Sequence, residues 1–225
     1  MTNAKQLVGE KAAQYVEDGM IVGLGTGSTV YWTIMKLGQM VQEGLQIQGV
    51  PTSKNTEKLA TELGIPLLDF AETKGIDLAI DGADEVDPNF CLIKGGGGAL
   101  LREKMIAAVS RRFIVVADNS KIVPVLGKFL LPVEVVPFGW QVTARQLAEL
   151  GCRADLRMAG QAPFITDNGN LILDCDFGAI HDPKHLNIAI NMIPGVVENG
   201  LFVGMTDHVI AGGEDGNLTE RSYNR

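Results

Sequence analysis

Cysteine is scarce: Cys91, Cys152 and Cys175 are the only three in 225 residues, and none belongs to a C-x-x-C pair. An odd, scattered set excludes a disulfide scaffold or a zinc ribbon and suits a reducing compartment, each thiol reading as a small buried apolar residue. Histidine is equally thin. His181 and His185 have the spacing of a metal pair on a helix, but Pro183 lies between them. A proline there opens the helix and leaves His181 outside it, so no metal site is expected, and His208 reads as structural. Basic charge is also short: 19 Lys and Arg against 27 Asp and Glu give a net charge of −8, and only Arg111-Arg112 approaches a cluster. Without a concentrated basic face, no nucleic-acid partner is expected. An anionic ligand must then be held by a few local donors, not by the overall field. No apolar run approaches the roughly 20 residues of a membrane span. Residues 1–19 mix charge with apolar positions at helical spacing, unlike the unbroken apolar stretch of a signal peptide. The expectation is a cytoplasmic protein with no membrane partner.

What is present is ordinary globular material, 46% hydrophobic and 20% charged, enough to bury one large core and one small one. Apolar runs at 20–24, 46–50, 76–80 and 113–117 read as buried strands. They alternate with helical spacing at 28–40, 53–63 and 99–108, and position 67 is strand-like. This is the pattern of a parallel sheet covered by helices on both faces, a Rossmann-like arrangement. After residue 128 the texture becomes strand 131–136 (interrupted by Pro132), helix 143–150, strands 153–158 and 170–175 around a turn at 167–170, a helix opened by Asp182-Pro183, and strand 196–203. That order is the split unit of a ferredoxin-like α+β domain. The expected division is 1–127 with 206–225 for the larger domain, to whose sheet 208–211 returns, and 128–205 for the smaller.

Four motifs carry chemistry. Gly23-Leu24-Gly25-Thr26-Gly27-Ser28-Thr29 leads from a strand into a helix. Its glycines admit close backbone approach, and its hydroxyls and helix N-terminus make a phosphate cradle. Ser28 replaces the third glycine of a dinucleotide fingerprint, and no Gly-Lys-Ser/Thr completes a P-loop. Asp81-Gly82-Ala83-Asp84-Glu85-Val86-Asp87 ends a strand where open parallel sheets bind ligands. Ala83 occupies a position where a calcium loop needs oxygen, and Glu85 and Asp87 read as solvated. Lys94-Gly95-Gly96-Gly97-Gly98 precedes a helix carrying Glu103. Four glycines suggest a backbone that packs against a ligand and offers N–H groups to an oxyanion, beside the Lys94 charge. Glu103 lies about two helical turns beyond the loop; its side chain leans towards the helix start and could face the same cavity, but spacing alone favours an exposed ion-pair partner. Asp118-Asn119-Ser120-Lys121 ends another strand.

In this order and spacing the four motifs resemble the type A ribose-5-phosphate isomerase family. Pro132-Val133-Glu134-Val135-Val136-Pro137, Thr166-Asp167-Asn168-Gly169-Asn170 and Ile193-Pro194-Gly195-Val196-Val197 do so as well. The resemblance runs from Lys5 to about Gly213. It implies an aldose–ketose isomerase without a cofactor, acting as a homodimer or dimer of dimers. It implies that Lys5, Thr26, Gly27, Ser28 and Thr29 hold the 5-phosphate and that Lys121 contacts substrate. Asp81 and Asp84, with Gly82 and Ala83 between them, would bind sugar oxygens and assist ring opening. Lys94 with Gly95, Gly96 and Gly97 would stabilise the enediolate, and Glu103 would be the base. The rivals are a sugar-phosphate sensor domain and another sugar-phosphate enzyme, a deaminase or lactonase.

Overall fold

The computed structural model describes residues 4–213 and 215–223; the outermost positions of the larger expected domain, 1–3 and 224–225, lie outside the described residues. In chain order the helices are α1 (Ala4–Ala13), α2 (Val30–Gln42), α3 (Lys54–Glu62), α4 (Leu100–Ala108), α5 (Trp140–Glu149) and α6 (Pro183–Asn191). The strands are β1 (Ile21–Leu24), β2 (Gln48–Pro51), β3 (Leu78–Gly82), β4 (Glu85–Val86), β5 (Leu92–Ile93), β6 (Phe113–Asp118), β7 (Leu131–Val135), β8 (Arg153–Leu156), β9 (Met158–Ala159), β10 (Ala162–Pro163), β11 (Leu171–Asp176), β12 (Val196–Asn199), β13 (Leu201–Phe202), β14 (His208–Gly212) and β15 (Leu218–Ser222). They form two compact units. The first takes the described residues of Met1–Ala83, Arg102–Ile122 and Met205–Arg225; the second takes Asp84–Leu101 and Val123–Gly204. The stretch 84–101, which the sequence pattern ran on with the first domain, packs with the second unit because β4 and β5 pair with each other and with β13.

The first unit is a six-stranded sheet in the order β15-β14-β6-β3-β1-β2, parallel except for β15. Its strands are apolar on both faces because helices cover both, which is why they read as runs and not as alternations. Val22, Leu24, Ile80, Ile114, Val116 and Ile210 meet Val8, Ala12, Val30, Ile34 and Leu37 from the helices in one core. Position 67 makes an isolated bridge to Gly49, not a strand. The connection from β1 goes to β2 on one side, and the chain then returns to β3 on the other. The strand order therefore reverses at β1/β3, where the ends of the two strands open a crevice suited to ligands.

In the second unit β7-α5-β8-β11-α6-β12 folds into an antiparallel sheet ordered β12-β7-β11-β8, the ferredoxin-like arrangement. Asp182 caps α6 by accepting from the His185 N–H, with Pro183 in the first turn. The expected strand 196–203 is two strands in two sheets. It breaks at Gly200, which donates to the Pro132 carbonyl at 2.8 Å. A Cβ there would lie 2.9 Å from the proline ring and 2.3 Å from the Lys94 carbonyl. This close approach also accommodates a proline within β7.

Candidate active site

In the first unit Gly25 follows β1, and its N–H donates to the Ile80 carbonyl at 3.0 Å, tying the loop to β3. Asp81, 3% exposed, accepts at Oδ1 from the N–H groups of Thr26 (3.0 Å) and Gly82 (2.7 Å). Gly25 is obligatory for this: a Cβ would stand 2.2 Å from that same Oδ1. The Thr26 hydroxyl joins a cluster with Thr52 (2.7 Å), Ser53 (2.8 Å) and Thr56 (3.2 Å). Thr56 and Thr52 in turn donate to the carbonyls of Gly25 and Leu24. Thr26 therefore braces the loop. Thr29 is the N-cap of α2, yet its side chain makes no capping bond, while Gly27 and Ser28 are exposed. Hydroxyls at a helix start that are not spent on capping, next to the positive end of the helix dipole, form a competent anion cradle.

Lys5, near the start of α1, donates from Nζ to Ser28 Oγ at 2.9 Å. It reaches the loop because α1 packs closely on α2 at Gly9, where a Cβ would lie 2.6 Å from Trp32 Cβ. Lys121 lies in a 3-10 turn, Asn119–Lys121, that follows β6, the neighbour of β3. The loop 25–29, Asp81 with Gly82 and Ala83, and Lys121 thus all follow the C-terminal ends of adjacent parallel strands.

Glu103 is in the first turn of α4, not two turns along, because the helix starts only at Leu100. Glu103 is 4% exposed, so it is buried and not on the solvated surface that the spacing favoured. One helical turn later on the same face, Ile106 packs on β1: a Cβ on Gly23 would lie 2.6 Å from Ile106 Cγ2. Gly23 therefore sets how closely the helix that carries the carboxylate approaches the strand.

In the second unit Lys94 is 2% exposed, and its ammonium lies 5.4 Å from the centre of the Phe202 ring. Gly96 donates to Asp84 Oδ2 at 2.7 Å, and Gly98 to the Gly95 carbonyl at 2.9 Å. A side chain at Gly96 would collide with the Asp84 carboxylate, its Cβ 2.6 Å from Oδ1. Asp84 is thus a brace of the glycine loop. Gly97, exposed, has its N–H outside both bonds. Glu85 is not solvated, and Asp87 is half-buried. Glu85 is buried and accepts from Gly127 and Phe129 N–H at 2.7 Å each. Asp87 accepts from Asn89 and Cys91 N–H, and burial pushes its carboxyl up from the ordinary value. Both hold backbone N–H groups of neighbouring loops.

Sequence reasoning missed Thr52, Ser53 and Thr56, although a Thr-Ser pair between a strand and a helix is a visible N-cap signal. It also missed Arg157, which donates to the carbonyls of Gly95 (2.8 Å) and Gly96 (3.1 Å). Among the described residues no group of three or more His, Cys, Asp and Glu is arranged to hold a metal ion, and no helix is long and apolar enough to cross a membrane.

The family described as ribose 5-phosphate isomerase A (phosphoriboisomerase A) matches residues 48–216. A ribose-5-phosphate isomerase A of Bacillus mycoides (strain KBAB4) is 56% identical over 217 residues, covering 96% of this chain and 98% of that one. The ribose 5-phosphate isomerase A structure from Methanocaldococcus jannaschii superposes with a TM-score of 0.93 at 42% identity, over 98% of each chain. A D-ribose-5-phosphate isomerase in complex with phospho-erythronic acid superposes with a TM-score of 0.95 at 41% identity, over 99% of this chain and 100% of that one.

Proposed function

Because the chain belongs to the ribose 5-phosphate isomerase A family, we propose that Glu103 is the base of its reaction, the interconversion of D-ribose 5-phosphate and D-ribulose 5-phosphate. The protein is an aldose–ketose isomerase of the non-oxidative pentose phosphate pathway. The observation that carries the assignment of Glu103 is a carboxylate 4% exposed in the first turn of the helix that follows the glycine loop.

Aldose and ketose differ by one proton on adjacent carbons and the position of the carbonyl. A single carboxylate serves both carbons if it takes the C2 proton and returns it to C1. General-base help of this kind contributes roughly 10²–10⁴-fold. The charge that grows on oxygen needs donors already in place, each worth on the order of 3 kcal/mol. Lys94 and the N–H of Gly97 fill that role. The phosphate is held by Lys5, Ser28, Thr29 and the backbone of the loop, with Thr26 as its brace, and Lys121 adds a cation for the substrate. Anchoring the remote end of the sugar helps hold the reacting carbons in place. Asp81, fixed by two backbone N–H groups, moves the proton between ring oxygen and hydroxyl when the furanose opens. Asp84 orders the glycine loop through Oδ2 and accepts from a sugar hydroxyl with Oδ1. The ligand of the solved relative, phospho-erythronic acid, supports this reading. Its phosphate stands at the end of a short polyol and its planar carboxylate imitates an enediolate.

The test is isomerisation of ribose 5-phosphate in deuterated water. The wild type should place deuterium at C1 of the ketose, in competition with direct transfer. Glu103→Gln should still bind the sugar phosphate while turnover falls by about 10²-fold or more; near-normal turnover would remove Glu103 from the mechanism. The same reading gives a cytoplasmic enzyme and a homodimer or dimer of dimers. Light scattering reads the stoichiometry.

A further inference from the structure

The glycine loop is held from behind by a guanidinium. Arg157, at the end of β8, has a side chain 14% exposed. Its Nη1 donates to the carbonyls of Gly95 and Gly96, while Nε donates to Asp174 Oδ2 at 2.9 Å and Nη2 to Asp174 Oδ1. In a trans peptide the C=O and the following N–H point in opposite directions, and no cis peptide occurs among the described residues. Pinning the Gly95 carbonyl on Arg157 therefore turns the Gly96 N–H away from it, and that N–H does meet Asp84. Pinning the Gly96 carbonyl turns the Gly97 N–H away in the same manner. Both amides then face the side opposite Arg157. Phe164 completes the backing. Its N–H donates to the Arg157 carbonyl at 2.9 Å, and its ring lies 5.9 Å from the guanidinium carbon. It fills the space behind Gly98, where a Cβ would lie 2.4 Å from ring atoms.

We propose that Arg157, oriented by Asp174, is a positioning residue that aims the Gly97 N–H at the oxygen on which charge develops. The assignment rests on the isomerase reading above and adds to it the residue that turns the loop. A cavity of about 390 Å³ lined by Gly96, Lys128, Phe129, Leu130, Arg157 and Asp174 offers the rival role of an anion site. Asp174 opposes that role: it lines the same space and neutralises the guanidinium, whose Nε, Nη1 and Nη2 are all engaged within the protein. A lysine could not replace this fork, since a single ammonium has no planar pair of edges to hold two carbonyls and a carboxylate together.

Steady-state kinetics of Arg157→Lys and Arg157→Ala, beside wild type and Glu103→Gln, test it. Both Arg157 variants should lose about 10–100-fold in kcat with KM within about threefold, because the phosphate anchor does not involve them. Guanidinium ion at millimolar concentration should restore part of the kcat of Arg157→Ala and none of that of Glu103→Gln. Should Arg157→Ala not fold, Arg157→Lys decides alone. A folded Arg157→Lys with kcat within about threefold of wild type overturns the assignment. So does a loss that guanidinium does not relieve and that merely tracks the unfolded fraction, and so does failure of both variants to fold. A wild type that does not isomerise fails the proposed function instead.

Discussion

A methyl group at position 25 would lie 2.2 Å from Oδ1 of Asp81, inside any allowed contact. One of the two must move. Asp81 is 3% exposed and bonded to two backbone N–H groups, so the loop is displaced with it. Misplacement of a catalytic group by about 1 Å can cost 10²-fold. Gly25→Ala should therefore lower kcat by about tenfold or more. Gly64→Ala is the control: Gly64 has φ +73 with nothing within 4 Å of its virtual Cβ. It should cost about 1 kcal/mol of stability through backbone strain, read as a lower thermal midpoint, with turnover unchanged. Equal kcat in the two variants would separate Gly25 from the site. The sequence marked residues 25–29, 81–84, 94–97 and 103 as candidates, because glycines and acids at strand ends are informative by type. It did not show Arg157, which meets the Gly95 carbonyl across 62 positions. Nor did it distinguish a bound from a solvated Glu85, since the backbone N–H groups of Gly127 and Phe129 carry no residue signature.

At the scale of elements, the position of α4 depends on Gly23. This glycine is buried in β1, and a Cβ there would lie 2.6 Å from Ile106 Cγ2 and 3.0 Å from Ala79 Cβ. Overpacking of this kind costs roughly 1–3 kcal/mol, and the helix can relieve it by lifting from the strand and carrying Glu103 along. Gly23→Ala should lower both the thermal midpoint and kcat. Adding Ile106→Ala removes the clashing atoms and should return most of the lost kcat, although it leaves stability low by the missing core volume. A single variant with wild-type kcat, or a double variant without recovery, would mean that α4 does not position the proposed base, Glu103, through this contact. The long elements were legible because each fills a full apolar period. β4, β5, β9 and β10 are two residues each, too short to show any period. The break between β12 and β13 was hidden because the sequence cannot display the approach of Gly200 to Pro132 and Lys94.

At the scale of the whole chain, the parallel unit is closed by its last strand, which the sequence did not reveal. β15 is exposed at every position and reads Leu-Thr-Glu-Arg-Ser, without the apolar character that identified its neighbours. Its charges suit a sheet edge, where they discourage pairing with another chain. What holds it is polar. Glu220 accepts from the Tyr15 hydroxyl, lies 3.1 Å from His208 Nε2 and pairs with Lys11 at 3.4 Å. His208 Nδ1 is 2.8 Å from Ser222 Oγ, and Arg112 stacks over the Tyr15 ring. The first helix, the sheet and the final strand are thereby joined at one carboxylate. The Tyr15 hydrogen bond, then those of His208 and Lys11 and the Lys11 charge, hold the Glu220 carboxyl below its ordinary value, against a burial effect of opposite sign. A carboxyl depressed in the folded state stabilises above its unfolded pKa, about 4.3, and that contribution disappears as pH falls through the folded value. Thermal midpoints of wild type and Glu220→Gln should differ, with wild type higher, from pH 7 to about pH 5. The gap should then narrow steadily as acid protonates Glu220 in both folded and unfolded chains. A gap that stays constant or widens in acid would mean that the carboxylate charge is not what fastens the last strand to the first helix.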